Sequence, residues 1–229
     1  MHIEICPDPA ATAQRGAEII ASAARAAVAE RGRFILAVSG GHTPWAMLGA
    51  LATLDAPWQA MHILQIDERI APAGDPARNI EYIRRSLQAA PLAASQIHAM
   101  PVNAGNTALA ARQYAELLTS LAGSPPVIDF AHLGLGPDGH TASLIPGDPV
   151  LASTEPVALS GSYQGWSRMT LTYPVLNAAR RILWLVTGAE KSAMVARLMA
   201  ADASLPAGRV RQERALILAD KAAMGLVAG

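Results

Sequence analysis

The chain has 229 residues, 52% of them hydrophobic, and its eighteen Lys and Arg are balanced by eighteen Asp and Glu. That is enough apolar material for a full core, and no stretch has the composition of a disordered segment. Zero formal charge without a dense basic run excludes nucleic acid and anionic membrane surfaces as natural partners, whereas an anionic small molecule needs only two or three local cations.

The single cysteine, Cys6, forms no internal disulfide and supports no cysteine metal framework, which fits a reducing cytoplasm. The opening MHIEICPDPA lacks the basic start and long apolar segment of a secretory signal. Gly, Pro or charge interrupts every apolar stretch before the roughly 18 residues of a membrane span. The expectation is a cytoplasmic protein without membrane or nucleic-acid contacts, either a monomer or a weak homo-oligomer.

In chain order, Thr12 to Arg31 is alanine-rich and carries Ile19, Ile20, Ala23, Ala27 and Val28 at helical spacing, with Gly32 as its stop. Phe34 to Val38 is a continuous apolar run, as expected of a strand covered on both faces. It leads into SGGHTP, where Thr43 suits an N-cap and Pro44 the first position of a helix to Leu54. A second strand, Ile63 to Ile66, ends in the charged triplet Asp67-Glu68-Arg69. A Pro/Gly-rich loop then precedes a helix starting near Asn79, with Tyr82, Ile83 and Leu87 facing inward.

A helix from Ala108 to Ala122 precedes the apolar run Val127 to Leu133, which ends in the glycine turn GLGPDGHT. Further strands are expected at Pro156 to Ser160, at Arg168 to Thr172 after a flexible SGSYQGWS stretch, at Ile182 to Val186 and at Ala215 to Leu218. A helix from about Ala189 to Ala201 lies before the last of these, and an Ala/Met segment ends the chain. Repeated strand, glycine turn and helix units predict one α/β domain over residues 1–229: Rossmann-like, with a mostly parallel sheet flanked by helices on both faces.

Several strands end in polar clusters: SGGHT, DER, GPDGHT and TGAEK. The carboxyl ends of parallel strands share one edge, so these clusters converge. In SGGHTP, adjacent glycines before a helix start suit a phosphate, or simply make a turn; the pattern is neither a Walker loop nor G-x-G-x-x-G. Lys191, in the first turn of its helix, opposes the helix dipole, so it either pairs with a bound anion or is merely exposed. Arg168 either grips phosphate bidentately or covers a strand end. The DER triplet is either structural ion pairing or catalytic. Asp138 and His140 carry the stronger case, because Gly139 frees the backbone to aim both side chains and a carboxylate beside an imidazole tunes it as a base. No G-x-S-x-G elbow surrounds Ser39 or Ser143, and no HExxH or other metal set occurs, so a hydrolase here would use base-activated water without metal or other cofactor.

Taken together, FILAVSGGHTP, IDERIAP with Asn79 beyond it, GLGPDGHTASLIP, SRMTLTYPVLNAAR, VTGAEKSAM and LPAGRVR resemble the 6-phosphogluconolactonases, in order and over nearly the whole chain. The resemblance implies the deaminase/phosphogluconolactonase-like fold and hydrolysis of 6-phospho-D-glucono-1,5-lactone to 6-phosphogluconate, a step of the oxidative pentose phosphate pathway. It implies that His140 is the general base and that Asp67 and Arg69 line the site. Asp138 is expected to orient His140, and Arg69 or loop N–H groups to stabilise the oxyanion. Ser39, Gly40, Gly41, Thr43, Asn79, Arg168 and Lys191 are expected to bind substrate, with Gly40, Gly41, Thr43, Arg168 and Lys191 at its phosphate. Two alternatives share the scaffold. Glucosamine-6-phosphate deaminases carry a glutamate where Ile145 stands, and sugar-phosphate-binding regulators have no need of His140.

Overall fold

The computed structural model describes residues 1–226. Its first strand, β1 (His2–Cys6), is followed by α1 (Pro9–Arg31), β2 (Phe34–Val38), α2 (His42–Leu51), β3 (Met61–Gln65), β4 (Asp67–Arg69), α3 (Asn79–Ser86) and the short β5 (Ile97–His98). Then come α4 (Thr107–Ala122), β6 (Phe130–Leu133), β7 (Val157–Tyr163), β8 (Trp166–Leu171), α5 (Tyr173–Ala178), β9 (Arg181–Val186), α6 (Ser192–Met199) and β10 (Ala215–Asp220).

Seven strands form one parallel sheet in the order β1-β10-β9-β6-β2-β3-β5. Alternation along each strand sorts its side chains into two cores. Phe34, Leu36 and Val38 pack with Ile20 and Ala24 of α1 and Met47 and Leu51 of α2, while Ile35 and Ala37 face Tyr114 and Leu118 of α4. Because helices cover both faces, the central strands read as unbroken apolar runs. The alanines of α1 let it lie close against the sheet, and Gly32 ends it in the left-handed conformation at φ 73°.

Four local expectations are corrected. Strands β1 and β5 were not foreseen: β1 is an edge strand whose alternating HIEIC is too short to separate from a loop, and β5 has two residues. Helix α2 starts at His42 behind Gly41, so Pro44 is its third residue and Thr43 makes no cap. The 189–201 segment opens with a separate 3-10 turn, Ala189–Lys191, so α6 starts only at Ser192. The fourth concerns DER and SGSYQGWS, which are neither loop nor flexible linker. The backbone leaves the main sheet at Ile66, and β4 pairs antiparallel with β8 at Asp67↔Thr170, Glu68↔Met169 and Arg69↔Arg168. β8 in turn forms a hairpin with β7, closed at Gln164 (φ 52°) and Gly165 (φ 84°), the positive-φ pair of a tight two-residue turn. The three-stranded sheet β4-β8-β7 stands at the carboxyl edge of the large one, with Met169, Leu171 and Val157 packed into the α4-side core. The Ala/Met segment after β10 is turns as far as Gly225, and its last three residues lie outside the described ones. No helix among the described residues is long and apolar enough to cross a membrane.

Candidate active site

A cleft of about 350 Å³ opens at the carboxyl edge, between the large sheet and the small one. It is lined by Ser39, Gly40 and Gly41, by Asp67, Arg69 and Asn79, by the 134–137 turn with His140, and by Arg168 and Lys191. Residues from six separate segments thus meet on a volume suited to a small molecule. Three cations face it against one carboxylate, Asp67, so its field favours an anion.

Strand alternation decides the roles within DER. Asp67 and Arg69 project to the cleft, whereas Glu68 turns inward and is fully buried. Its Oε1 accepts from the backbone N–H of Arg69 (2.9 Å) and Asn79 (2.8 Å), and its Oε2 from Ile80 N–H (2.9 Å) and Gln65 Nε2 (2.8 Å). Glu68 therefore caps α3 from another strand, since the N-cap residue Arg78 supplies no side-chain bond. Arg78 lies 3.6 Å from the same carboxylate. The structural reading of the triplet thus belongs to Glu68, while Asp67 and Arg69 are the two of its residues that line the cleft.

Asn79 ties the capped helix to the cleft: its Nδ2 donates to Asp67 O (3.0 Å) and its Oδ1 accepts from Arg69 Nη1. Asp67 accepts from the buried Ser143 hydroxyl at 2.6 Å and has Arg168 Nη1 at 3.9 Å. Ser143, unremarkable in sequence except as a rejected nucleophile, is carried there by Ala142 at φ 53°, a left-handed conformation unusual for alanine. Arg168 is only 4% exposed; burial pulls its guanidinium below its ordinary pKa, and Asp67 opposes that shift. The Nε of Arg168 and the hydroxyl of Ser39, both buried at the cleft, have no hydrogen-bond partner among the described residues.

The SGG loop meets Asn79 so closely that a Cβ on Gly40 would lie 1.9 Å from its Oδ1, which only glycine permits. The amides of Gly40 and Gly41 have no acceptor among the described residues and stand at the start of α2, where the helix dipole favours negative charge. Thr43 does not line the cleft. Its hydroxyl is hydrogen-bonded to Thr187 Oγ1 (2.7 Å), so it joins the SGGHT loop to the TGAEK loop. Gly188 N–H in turn donates to both oxygens of buried Asp220, at 3.1 and 3.2 Å, fixing the turn that presents Lys191. Lys191 has no ion-pair partner among the described residues.

In the GPDGHT turn, Gly139 adopts φ 82° and lets the backbone fold back so that His140 N (3.1 Å) and Nδ1 (2.5 Å) both meet Asp138 Oδ1. An ionised carboxylate only accepts, so in the neutral imidazole the proton sits on Nδ1 and the lone pair on Nε2. Burial raises the Asp138 carboxyl, but the hydrogen bonds from His140 outweigh it and hold the group below its ordinary value. Asp138 itself stands behind His140 and does not line the cleft. Residues absent from the expected set also shape the site: His42 and Trp45 line it, and Trp45 stacks on Tyr82 at 4.0 Å. Trp45, two residues after Thr43 of SGGHTP in a chain with only 4% aromatics, was the available signal.

A parallel α/β sheet whose carboxyl edge joins a carboxylate–imidazole pair to an anion cradle defines an acid–base enzyme for a small anionic substrate. The chain belongs to the family described as glucosamine-6-phosphate isomerases/6-phosphogluconolactonase, whose model matches residues 7–218. It is 34% identical over 206 residues to the 6-phosphogluconolactonase of Nostoc sp., covering 88% of this chain and 86% of that one. Among solved structures, 6-phosphogluconolactonase from Thermotoga maritima superposes with a TM-score of 0.85 at 25% identity, covering 96% of this chain and 98% of that one. A monomeric glucosamine-6-phosphate deaminase also superposes with a TM-score of 0.85, at 21% identity, covering 99% and 100%. The fold alone therefore does not separate the two activities.

Proposed function

We propose that this chain hydrolyses 6-phospho-D-glucono-1,5-lactone to 6-phosphogluconate in the oxidative pentose phosphate pathway, with residues 1–229 acting as one catalytic domain. The observation that carries the reading is the free Nε2 of His140, held by Asp138 at the rim of a cleft with Arg69, Arg168 and Lys191. The phosphate is held by Lys191, Arg168, the Gly40 and Gly41 amides and the Ser39 hydroxyl. Asn79 positions Arg69, and Thr43 acts only by joining the two loops.

In the reaction, Nε2 accepts a proton from water as its oxygen bonds to the lactone carbonyl carbon. The negative charge that forms on the carbonyl oxygen is stabilised by Arg69. Collapse of this intermediate breaks the bond between C1 and the ring oxygen, which takes the proton from the imidazolium and becomes a hydroxyl. Asp138 keeps the imidazole in the required tautomer throughout. A lactone is an activated ester, so one positioned base suffices. The deaminase reading is weaker because Ile145, where deaminases carry glutamate, cannot transfer protons.

Purified protein is expected to form 6-phosphogluconate from freshly generated lactone faster than spontaneous hydrolysis and to release no ammonia from glucosamine 6-phosphate. Ammonia release without lactone hydrolysis would reverse the assignment. Lys191→Ala should raise KM about tenfold with little change in kcat, as expected for a charge-assisted contact worth about 1.5 kcal/mol. An unchanged KM removes Lys191 from the phosphate site.

A further inference from the structure

One side chain packs against two members of the proposed machinery, His140 and Arg168, without lining the cleft. Tyr163, the last residue of β7, places its ring 5.0 Å from the imidazole of His140, edge to face at 65°. The guanidinium of Arg168 lies over the same ring at 5.3 Å, and Arg168 Nη2 donates to the Tyr163 carbonyl at 3.3 Å. The Tyr163 hydroxyl faces the Asp138 carboxylate, beyond the geometry of a formed hydrogen bond but close enough that each perturbs the other. After burial and the His140 contacts, it is a further influence holding Asp138 low, while burial and then Asp138 push the tyrosine up.

The placement follows from the hairpin. Two positive-φ residues, Gln164 and Gly165, reverse the chain directly after Tyr163, and β8 (Trp166–Leu171) then carries Arg168 as its third residue. Tyr163 pairs with Trp166, whereas Ser160 pairs with Arg168, so an irregularity in the ladder between residues 160 and 163 turns the tyrosine toward the GPDGHT turn. The small sheet thus supplies Arg168 from one strand and the residue that contacts both Arg168 and the dyad from the other.

We propose that Tyr163 is a positioning residue that couples the Asp138–His140 base to the Arg168 anion site. Its ring packs on the imidazole that Asp138 holds, and its hydroxyl stands beside that carboxylate, which limits how strongly the carboxylate retains the imidazolium. Its ring braces Arg168 against the cleft. Both effects rest on the lactonase reading for their catalytic meaning, but the coupling itself belongs to the geometry. The charged and titratable groups around His140 are Asp138 on its own turn, Tyr163 on β7, Arg168 on β8, Asp67 and Arg69 on β4, His42 on α2 and Lys191 before α6. Of these, Tyr163 packs on both the His140 imidazole and the Arg168 guanidinium.

Two variants separate the halves of the proposal. Tyr163→Phe keeps the ring and removes the hydroxyl, so Asp138 binds the imidazolium more strongly: the acid limb of the kcat/KM profile moves to higher pH, with KM within twofold of the parent. Tyr163→Leu also removes the ring face over Arg168 and raises KM by about two- to fivefold, the range of a cation–π contact. The titration of the His140 ring, followed by NMR and assigned with His140→Ala, moves upward in Tyr163→Phe whatever the substrate is. An unmoved titration overturns the hydroxyl's role, and an unchanged KM in Tyr163→Leu overturns the ring's. A moved titration in a protein without lactonase activity supports the coupling and overturns only the reaction assignment.

Discussion

His140→Ala lowers kcat for lactone hydrolysis by about 10²- to 10⁴-fold, the usual contribution of a positioned general base, and leaves KM within a few-fold. The split follows from the site. In the proposed mechanism the anion contacts come from Arg168, Lys191 and the SGG loop, none of which depends on the imidazole, while proton acceptance from water depends on it wholly. Because Nδ1 is held by Asp138 at 2.5 Å, no other nitrogen of the turn presents a lone pair to the cleft. His140→Gln, which keeps polarity but cannot take up a proton at neutral pH, should fall by a similar factor. Steady-state kinetics corrected for spontaneous hydrolysis decide the matter: retention of the full rate by either variant would mean that another group, with Asp67 the nearest candidate, activates water.

Glu68→Ala destabilises the fold by about 3–5 kcal/mol, the cost of leaving a buried partner charge uncompensated. Four N–H donors and the 4%-exposed Arg78 converge on this one carboxylate, and its removal strands all of them away from water. Set against a typical total of about 5–15 kcal/mol, that loss is severe. Glu68→Gln preserves shape but points an amide donor at donors, and should cost about 1–3 kcal/mol. Glu116→Ala, on the exposed face of α4, serves as the control and should lie within about 0.5 kcal/mol of the parent in urea denaturation. A Glu68→Ala midpoint equal to the control's would show that α3 does not depend on its cap from β4. In folded Glu68→Gln, activity should fall further than stability, because Asn79 and through it Arg69 are registered by the same carboxylate.

The elements with strong periodicity were legible from sequence. α1, β2 and α4 are found within a few residues of expectation because their patterns report burial directly: helical spacing for α1 and α4, an unbroken apolar run for a strand covered on both faces. The convergence of SGG, DER, GPDGHT and GAEK was also legible, since parallel strands align their carboxyl ends. The small antiparallel sheet was not. DER and SGSYQGWS are polar because they border a cleft, and polarity without periodicity reads as loop. DER owes its strand character to ladder bonds with Arg168–Thr170, about a hundred residues away, which no local pattern contains, and SGSYQGWS is drawn into the same sheet as the β7–β8 hairpin. For the same reason Thr43 was assigned to an anion it does not face, and Tyr163 passed unnoticed.

By itself, then, the sequence determined the α/β class, the covered parallel sheet, the His140 turn and the family, because burial periodicity and the glycine-bounded motifs are local properties of the chain. The tertiary structure alone decided where each neighbour lies: Asp67 and Arg69 at the cleft but Glu68 beneath α3, Thr43 joining loops, Tyr163 between the His140 imidazole and Arg168. The physical reason is strand alternation and long-range pairing. A side chain's chemistry is written in its residue type, but the direction it points depends on the partner strand that fixes its register.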